Sequence, residues 1–527
     1  MAFAQTHSVA LQGAVGHLID VQADVSQGVV GTTLVGRADA SLNEGRDRVR
    51  MAITNSGLEW PATRRITVLL APADLPKAGT HYDLAIAVAV LAAADAVPAR
   101  ALARTALIGE LSLDGGLRPV LGVLPMVLAA SRRGVDRVVV PEPHVAEASL
   151  VPGIEVIGPR SLAQTVAMLR GDLPPEAPPV PELSRGSYLR WRGAARLDEV
   201  DMADLVGLDE AKFAVEVAAA GGHHLLLTGA KGCGKTSLAE RIPGILPDLD
   251  TDEAIELTTL HSLAGSLDPT GGLIRRPPYS APHHDASKAS LVGGGSGRVR
   301  PGQVSMAHGG VLFLDEFALF RTDVIDALRE PLENGDITIA RGEEVVTLPA
   351  RAMVVLASNP CPCGNAGARV GRPCECRPME IREYNRRVRG PISDRIDITR
   401  VLQPPSPQHY DDFTGRDATA RIRAKVTAAR AVQAERYAGR DWRLNGQAPG
   451  AELRDRWPLT LDGAHQVNLA VLAGQLSRRG AVRVHRLAWT VADLLGVERP
   501  GVPEVMTALD LRLGRSLPES LMRRWAA

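Results

Sequence analysis

Apolar and polar positions over the first 170 residues alternate between two periodicities. Leu18–Val25 alternates apolar and polar residues, and the runs RITVLLAP (65–72) and DRVVVP (136–141) are rich in β-branched residues, which predicts strands. The stretches ASLNEGRDRVRMAITNSG (40–57) and DLAIAVAVLAAADAV (83–97) show helical patterns instead. Strands that alternate with helices predict an α/β domain over residues 1–170.

The pattern changes after residue 170. Residues 172–182 read DLPPEAPPVPE, and paired prolines among few apolar residues favour an extended spacer, so we predict a proline-rich linker over 171–197. Strand and helix patterns alternate again over 198–403, which predicts a second α/β core. From 404 to 527 the spacing becomes helical, as in ATARIRAKVTAARAVQAERYA, and predicts an α-helical lid domain.

Composition and charge narrow the class of protein. The hydrophobic fraction of 45% and the charged fraction of 23% are typical of a soluble globular chain. No apolar run approaches the length that a bilayer requires, so we expect a cytoplasmic protein without a membrane partner. Because 60 Lys and Arg residues balance 60 Asp and Glu residues, any contact with nucleic acid has to come from local patches or a pore lining.

The segment GAKGCGKT, Gly229–Thr236, is a predicted phosphate loop. It follows an apolar run, opens a predicted helix and satisfies the pattern G-x-x-x-x-G-K-[ST]. Its glycines allow backbone N–H groups to cradle phosphate oxygens, and the helix dipole adds to the attraction. Lys235 would reach the β- and γ-phosphates, and Thr236 would bind Mg²⁺. We therefore predict ATP and Mg²⁺ as cofactors. The predicted nucleotide contacts are Gly229, Ala230, Lys231, Gly232, Cys233, Gly234, Lys235, Thr236, Ser237 and Asp315.

Four polar residues in later segments are candidates for metal binding or catalysis. GGVLFLDEF ends a predicted buried strand in Asp315, which could hold Mg²⁺, and Glu316, which could orient the attacking water. RAMVVLASNP ends in Asn359, which could act as a sensor of the γ-phosphate and position that water. GPISDRIDI carries Arg395, which could reach a neighbouring nucleotide in a ring as an arginine finger does. Taken singly, these would be a structural strand end, a turn former and a surface ion pair. The upstream phosphate loop favours the catalytic interpretation.

The order of six segments resembles the YifB/ComM family, a group of magnesium-chelatase-like AAA+ ATPases, and the resemblance covers nearly the whole chain. The segments are GAKGCGKT, APHHDASKASLVGGG, RPGQVSMAHGGVLFLDE, LREPLENGDITIARG, SNPCPCG and GPISDRIDI. The resemblance implies a homohexameric ring that hydrolyses ATP between subunits. It also implies a DNA motor with helicase and branch-migration activity on single-stranded or branched DNA during recombination.

Two insertions and a lid arginine follow from the same resemblance. Residues 281–310 would form an insertion, and DITIARGEEVVTLP (336–349) has the alternation of a hairpin; in related rings both face the central pore. The implied DNA-phosphate contacts, each of which could also be ordinary surface charge, are Lys288, Arg298, Arg300 and Arg341. LSRRGAVRVHRLAWTVADL resembles the start of the family's lid helix, which implies that Arg479, or alternatively Arg483, touches the γ-phosphate. Trp489 departs from the arginine of the family pattern.

The N-terminal domain resembles the proteolytic domain of Lon. The resemblance rests on GELSLDGGLRPVLGVLPMVLAASRRGVDRVVVP and PKAGTHYDLA. In this register His81 occupies the serine position and Leu124 the lysine position, so the Ser/Lys pair that the peptidase chemistry needs is missing. We therefore expect a Lon-like fold that is not an active protease and that serves assembly or DNA handling. His81 would be a hydrogen-bonded structural residue or a functional histidine.

The segment CPCGNAGARVGRPCEC contains two C-x-C units that ten residues separate. The thiolates of Cys361, Cys363, Cys374 and Cys376 could converge on Zn²⁺, or the segment could be a reduced or redox-active loop. Because it follows Asn359 directly and precedes an arginine-rich segment, it could brace the loop that carries Arg395.

Two other functions fit parts of the sequence. A magnesium-chelatase motor subunit shares the ATPase core, but it lacks a Lon-like domain and this cysteine segment, so no porphyrin partner is expected. A protein-remodelling AAA+ ATPase would also fit, and its ATP hydrolysis would be indifferent to DNA.

Overall fold

A computed structural model describes residues 3–36, 40–181, 200–295, 299–341, 344–366, 373–388, 390, 392–403 and 418–526. These residues fall into two compact units. The first contains the described residues of Met1–Leu189, Ala254–Ile274 and Ala340–Thr347, and the second contains those of Arg190–Glu253, Arg275–Ile339 and Leu348–Ala527. Of the predicted linker, residues 171–181 carry no helix or strand, and 182–197 lie outside the described residues.

The first unit is built on a mixed seven-stranded sheet with the order β3-β4-β2-β1-β5-β8-β9. β1 and β2 pair antiparallel from Phe3 opposite Asp24 to Gln12 opposite Val15. β2 also pairs antiparallel with β4, and the remaining neighbours are parallel. The strands of this unit are β1 Phe3–Gln12, β2 Val15–Ser26, β3 Gly31–Val35, β4 Arg65–Ala71, β5 Thr105–Leu107, β6 Glu110–Leu111, β7 Leu117–Arg118, β8 Arg137–Val139 and β9 Glu155–Ile157.

A fully buried helix forms the centre of this unit. Within the described residues, five helices belong to it over their whole length: α1 Ala40–Asn55, α2 Asp83–Ala93, α3 Val123–Arg132, α4 Val145–Ala148 and α5 Leu162–Arg170. Every residue of α2 is buried, as expected for a helix that is apolar on all sides except at Asp83. Arg48 of α1 donates to the Asp83 carboxylate over 2.6 and 3.0 Å. Burial raises the pKa of Asp83 to about 6 against the opposing effect of Arg48.

The segment Ala254–Ile274 completes the first unit through a buried carboxylate. Glu147 Oε1 accepts hydrogen bonds from Ser262 Oγ over 2.5 Å and from the Leu124 backbone N–H over 2.9 Å. Glu147 Oε2 lies 3.1 Å from His144 Nδ1. Leu263 and Val346, from the two returning segments, lie so close to Gly122 and Gly13 that a Cβ at either glycine would approach within 3.1 Å and 2.3 Å of them. The first fold is therefore closed by parts of the chain that follow the phosphate loop.

The second unit contains a five-stranded parallel sheet with the order β11-β14-β17-β10-β18. Every residue of β14 and β17 is buried, as is usual for central strands of a parallel sheet. Because parallel strands end at one edge, residues that follow β10, β14 and β17 come together there. The remaining strands of the chain are β10 Leu225–Thr228, β11 Tyr279–Ser280, β12 Gly293–Gly294, β13 Arg300–Pro301, β14 Val311–Leu314, β15 Asp336–Arg341, β16 Glu344–Pro349, β17 Met353–Ser358 and β18 Ile398–Val401.

Helices cover this sheet and form the C-terminal part of the chain. They are α6 Asp209–Gly221, α7 Lys235–Ile245, α8 Thr251–Ala264, α9 Lys288–Val292, α10 Gln303–Met306, α11 Thr322–Ala327, α12 Arg329–Asn334, α13 Pro378–Val388, α14 Ala418–Arg436, α15 Gly450–Arg456, α16 Leu461–Leu472, α17 Arg478–Leu495, α18 Val502–Leu513 and α19 Glu519–Ala526, where α8 spans the boundary of the two units. The 3-10 helices of the described residues are Ala99–Ala101, Glu142–His144, Met202–Asp204, Pro269–Gly271, Phe317–Leu319, Ser393–Arg395 and Asn445–Gln447.

The predicted α/β fold class is confirmed, and the predicted hairpin over 336–349 forms as β15 and β16. The unexpected Trp489 is buried in α17, where its indole N–H donates to the Trp457 carbonyl over 2.9 Å. The Arg436 guanidinium lies 4.3 Å from the Trp489 ring centroid, a cation–π distance. Within the described residues, no helix combines the length and apolarity needed to cross a membrane.

Candidate nucleotide-binding site

The phosphate loop connects β10 to α7 as the sequence predicts. Gly232 and Gly234 adopt left-handed backbone conformations with φ of +78° and +90°, which residues with a Cβ rarely adopt. A Cβ at Gly229 would lie 2.6 Å from the Leu402 carbonyl oxygen, so this position has room only for glycine. Burial raises the pKa of the neighbouring Cys233, which keeps that thiol neutral.

Lys235 joins the phosphate loop to the predicted sensor residue. Its ammonium donates to the Gly229 carbonyl over 2.7 Å, to the Ala230 carbonyl over 3.0 Å and to Asn359 Oδ1 over 3.1 Å. The residue is only 8% exposed, and these three acceptors are uncharged oxygens. A buried ammonium gains most when an anion shares its site, so this environment fits a phosphate group.

Thr236 and Asp315 place two oxygens together at the same edge of the sheet. Thr236 Oγ1 donates to Asp315 Oδ2 over 3.0 Å, and Asp315 Oδ1 accepts the Glu316 backbone N–H over 2.8 Å. Hydroxyl and carboxylate oxygens are the ligands that Mg²⁺ prefers, so this pair fits the predicted Mg²⁺ site. Glu316 has a φ of +49°, a strained conformation for a non-glycine residue that is often found at functional sites.

Arg395 and Arg479 meet on one carboxylate of their own chain. Arg395 lies in the 3-10 helix Ser393–Arg395, and its guanidinium is 2.7 Å from Glu333 Oε1. Arg479 at the start of α17 approaches the same oxygen within 3.5 Å. The Arg395 side chain is 14% exposed and that of Arg479 is 70% exposed. The structure thus brings the predicted finger and the predicted lid arginine together, with Glu333 as a partner that sequence reasoning missed.

Arg483, the alternative lid arginine, belongs to a buried ion-pair network. It donates to the Asp394 carbonyl over 2.8 Å and to Asp397 Oδ1 over 2.5 Å. Asp397 Oδ2 accepts the His224 backbone N–H over 2.9 Å and lies 3.9 Å from His223 Nδ1. Arg483 is thus held by Asp394 and Asp397, whereas Arg479 is largely exposed. A polar Asp397 before the apolar start of β18 is the sequence signal that could have revealed the network.

His223 is fully buried and His224 is partly buried, and both have shifted pKa values. Burial lowers the pKa of both His223 and His224 to about 4. Burial alone would raise the pKa of Asp397, but Arg483 and the two histidines hold it far below its usual value. The neutral side chains of the two histidines are hydrogen-bonded. His223 Nε2 lies 2.8 Å from Thr490 Oγ1, and His224 Nδ1 accepts the Val354 N–H over 3.2 Å.

We expect the thermal unfolding midpoint to fall as the pH is lowered from about 6.5 to about 4. In this range the unfolded chain binds protons at His223 and His224 while the folded chain does not, so stability is full above the unfolded pKa and is lost toward the folded one. Differential scanning fluorimetry across this range measures the slope, which His223→Gln and His224→Gln should flatten. His465→Gln, at an exposed histidine of α16, is the matched control. Equal slopes in all four proteins would contradict the assignment.

The predicted DNA contacts are only partly described. Lys288 is exposed at the start of α9, which Ser287 caps through a hydrogen bond to the Ser290 N–H. Arg300 is exposed in β13, which pairs with the β12 strand that follows α9. The side chain of Arg341, at the end of β15, is not described, and Arg298 lies outside the described residues. Lys288 and Arg300 therefore belong to one ribbon, formed by the described residues 287–295 and 299–301.

The four cysteines predicted to bind a metal converge. All four Sγ atoms lie within 4.8 Å of one another. The sulfur of Cys361 is 3.3 Å from that of Cys363 and 3.7 Å from that of Cys374, and the last two sulfurs are 3.7 Å apart. Hydrogen bonds from the Asn365 backbone and the Cys361 thiol lower the pKa of Cys363 to about 6. The described residues His283, His284 and Asp285 form a second group of possible ligand atoms, which is more exposed.

The positions that correspond to the Lon serine and lysine are both buried. His81 is 1% exposed, and its Nε2 lies 2.8 Å from the Val9 carbonyl oxygen, which is a structural hydrogen bond. Leu124 is also 1% exposed, and its backbone donates to Glu147. These two positions therefore provide neither a nucleophilic hydroxyl nor an amine base.

Family models for magnesium chelatase match three parts of the chain. Magnesium chelatase subunit ChlI matches residues 201–409, subunit ChlI of Mg-chelatase matches 21–144, and the C-terminal model of subunit ChlI matches 416–512. The first match contains the phosphate loop, the Asp315 and Asn359 strand ends, Arg395 and the cysteine segment.

Full-length relatives are found in several bacteria. An uncharacterized protein of Mycobacterium tuberculosis is 46% identical over 97% of this chain and 99% of its own length. The protein YifB of Escherichia coli is 37% identical over 94% of both chains, and the competence protein ComM of Haemophilus influenzae is 37% identical over 97% of this chain and 98% of its own. A Lon protease of Geobacter metallireducens is 25% identical over 174 residues, 31% of this chain and 21% of that protease.

Proposed function

This chain belongs to the YifB/ComM family of magnesium-chelatase-like AAA+ ATPases, and on that premise we propose that it is an ATP-driven ring motor acting on single-stranded or branched DNA. ATP hydrolysis follows from the family, and the arrangement of Lys235, Asn359, Thr236 and Asp315 at one sheet edge supports it. The action on DNA is the further step. It is supported by the likeness over the full length to a competence protein.

The residues of this chain would divide the work of hydrolysis. Bound ATP with Mg²⁺ supplies a γ-phosphoryl group whose transfer to water releases the free energy. Lys235 would neutralise phosphate charge, exchanging some of its present acceptors for phosphate oxygens, while Thr236 and Asp315 would hold the metal. Glu316 would orient the attacking water. Asn359 would contact the γ-phosphate, so that the end of β17 responds to whether this phosphate is present. Most of this catalysis is positioning and electrostatic stabilisation.

We propose that Arg395 completes the site of the neighbouring subunit in a homohexameric ring. In the isolated chain its guanidinium lies 2.7 Å from Glu333, which Arg479 also approaches. A phosphate presented by a neighbour carries more charge than one carboxylate and would compete for both arginines. Binding of nucleotide by a neighbour would therefore change the contacts that Arg479 makes at the start of the lid helix α17. A motor needs such a link between nucleotide binding and movement of a domain.

DNA contacts are proposed for the ribbon that contains Lys288 and Arg300 and for the hairpin strands β15 and β16. Lys288 and Arg300 are exposed on the ribbon, and cations of this kind bind the phosphate backbone without regard to sequence. A net charge of zero over the whole chain means that such local cations would carry the whole electrostatic attraction.

We expect single-stranded or branched DNA to stimulate steady-state ATP hydrolysis several-fold. The Lys288→Ala/Arg300→Ala double variant should lose most of this stimulation. The slope of the logarithm of the apparent DNA affinity against the logarithm of the salt concentration should become shallower by roughly one unit per lost phosphate contact. ATP turnover is measured without DNA, with single strands, with duplex and with a four-way junction, at two salt concentrations. Arg523→Ala, at an exposed arginine of α19, is the matched control.

Hydrolysis that no DNA changes would contradict the DNA motor and favour a protein-remodelling ATPase. Stimulation that the double variant keeps in full would leave the DNA motor in place and reject the ribbon as its contact surface.

A further inference from the structure

The cysteine cluster has the dimensions of a single-metal site. A zinc ion with four thiolates at about 2.3 Å places the sulfur atoms about 3.8 Å apart at the corners of a tetrahedron. Three of the sulfur–sulfur distances here are 3.3, 3.7 and 3.7 Å, and the fourth sulfur lies within 4.8 Å of the others. Four thiolates that leave no open position are typical of structural zinc rather than of catalytic metal.

Backbone groups around the cluster support the sulfur atoms. The Cys363 N–H donates to Cys376 Sγ over 3.4 Å, and the Ala366 N–H donates to Cys361 Sγ over 3.3 Å. The Gly364 N–H closes the turn onto the Cys361 carbonyl over 3.0 Å. Hydrogen bonds of this kind orient metal ligands and stabilise thiolate charge. The first C-x-C unit is therefore shaped as a turn that carries ligands.

The same turn packs on the phosphate loop. Gly364 has a φ of +86°, and a Cβ at this position would lie 2.9 Å from Cγ and 3.1 Å from Cε of Lys231. The aliphatic stem of Lys231, a phosphate-loop residue, thus lies along the backbone of Gly364. Fully buried Cys361 follows Asn359 by two residues, so the turn is joined to the nucleotide site both through the chain and through packing.

The other end of the cysteine segment is held to the sensor strand. One residue, Arg377, separates Cys376 from α13, and Tyr384 of that helix is largely buried. Ser358 Oγ, at the end of β17, donates to the Tyr384 hydroxyl over 3.4 Å. A metal at the cluster would therefore link the turn that follows Asn359 to α13, which already contacts the end of β17 through Tyr384.

We propose that the four cysteines bind one zinc ion, and that the filled site positions Asn359 and the phosphate loop so that ATP binding depends on zinc. The coupling rests on the proposed nucleotide site, whereas the zinc site itself does not. Without the metal, no ion would hold the four sulfurs together, and the Gly364 turn would no longer be fixed against Lys231.

The metal content of the purified full-length protein tests the site. We expect one zinc per chain by plasma emission spectroscopy, and loss of that zinc in Cys374→Ser and Cys376→Ser. A protein that is purified under reducing conditions with no zinc, or with a disulfide between the cysteines, would overturn the proposal. A wild type that contains zinc but neither binds nor hydrolyses ATP would reject the proposed function and the coupling, and would leave the zinc site in place.

Gly364→Ala tests the coupling without removing a ligand. We expect it to keep one zinc per chain and to bind a fluorescent ATP analogue roughly tenfold more weakly, because its methyl group would displace Lys231. Gly474→Ala is the matched control, since Gly474 has a φ of +68° with no atom within 4 Å of its Cβ position. A Gly364→Ala protein with full zinc and wild-type affinity would overturn the coupling.

Should Gly364→Ala not fold, removal of zinc from the wild type gives the second test. ATP affinity should fall when a chelator strips the metal and should return when zinc, but not magnesium, is restored. Unchanged ATP affinity after complete removal of zinc would overturn the coupling.

Discussion

Lys235→Ala is expected to abolish ATP hydrolysis, with a loss of about three orders of magnitude or more in turnover. The ammonium of Lys235 is the buried cation of the phosphate loop, and it also holds the loop to Asn359 over 3.1 Å. Its removal leaves the phosphate charge without this partner and frees the sensor side chain. Phosphate release under saturating Mg-ATP measures the rate.

Arg523→Ala, far along the chain in α19, serves as the control for handling and assembly. A Lys235→Ala protein that hydrolyses ATP at the wild-type rate would reject the assignment of the site. Chemical rescue is not expected, because the side chain is 8% exposed and a small amine would have to enter a packed loop.

Arg395→Ala is expected to leave ATP binding intact and to stop hydrolysis, with a loss of about a thousandfold in turnover. The reason is that Arg395 would act on the nucleotide of the neighbouring subunit. Mixed rings of Arg395→Ala and Glu316→Gln subunits should regain activity, because some interfaces then combine an intact Glu316 with an intact Arg395. Rings of either variant alone should remain inactive. ATP affinity and turnover are measured on the separate and mixed proteins.

Glu333→Gln provides the internal comparison for this prediction. Since Glu333 pairs with both Arg395 and Arg479, its neutralisation should release the arginines and change turnover without the loss that Arg395→Ala produces. An Arg395→Ala protein with wild-type turnover would contradict this prediction, and the arginine that acts on the neighbouring nucleotide would have to be another residue.

The phosphate loop and the strand-end residues could be predicted because local rules determine them. Glycine spacing specifies the loop, and parallel strands bring Asp315 and Asn359 to the edge at which the loop lies. The structure places Thr236 Oγ1 at 3.0 Å from Asp315 and Lys235 Nζ at 3.1 Å from Asn359. These distances agree with the roles that the sequence suggests.

Contacts between distant parts of the chain could not be predicted in the same way. Glu333 lies in a short helix without any periodicity that marks it as a partner of Arg395 and Arg479. Asp397, His223 and His224 form a network only after β10, β18 and α17 have packed together. Trp489 is similar, because its place in the core depends on Arg436 and Trp457. Such pairings depend on tertiary structure, which a single sequence does not encode in any local pattern.

The buried Ser262–Glu147 hydrogen bond bears on how this chain could be divided or recombined. A gene fragment that ends in the proline-rich segment would encode the whole seven-stranded sheet but neither Ser262 nor Val346. Its product would expose the Glu147 carboxylate and the apolar surface around Gly122 and Gly13 to water. The N-terminal fold is therefore not a detachable module. A recombination event that exchanged the N-terminal fold would also have to exchange the later positions that complete it, Ser262 and Val346. The two parts of the chain are therefore expected to be inherited together.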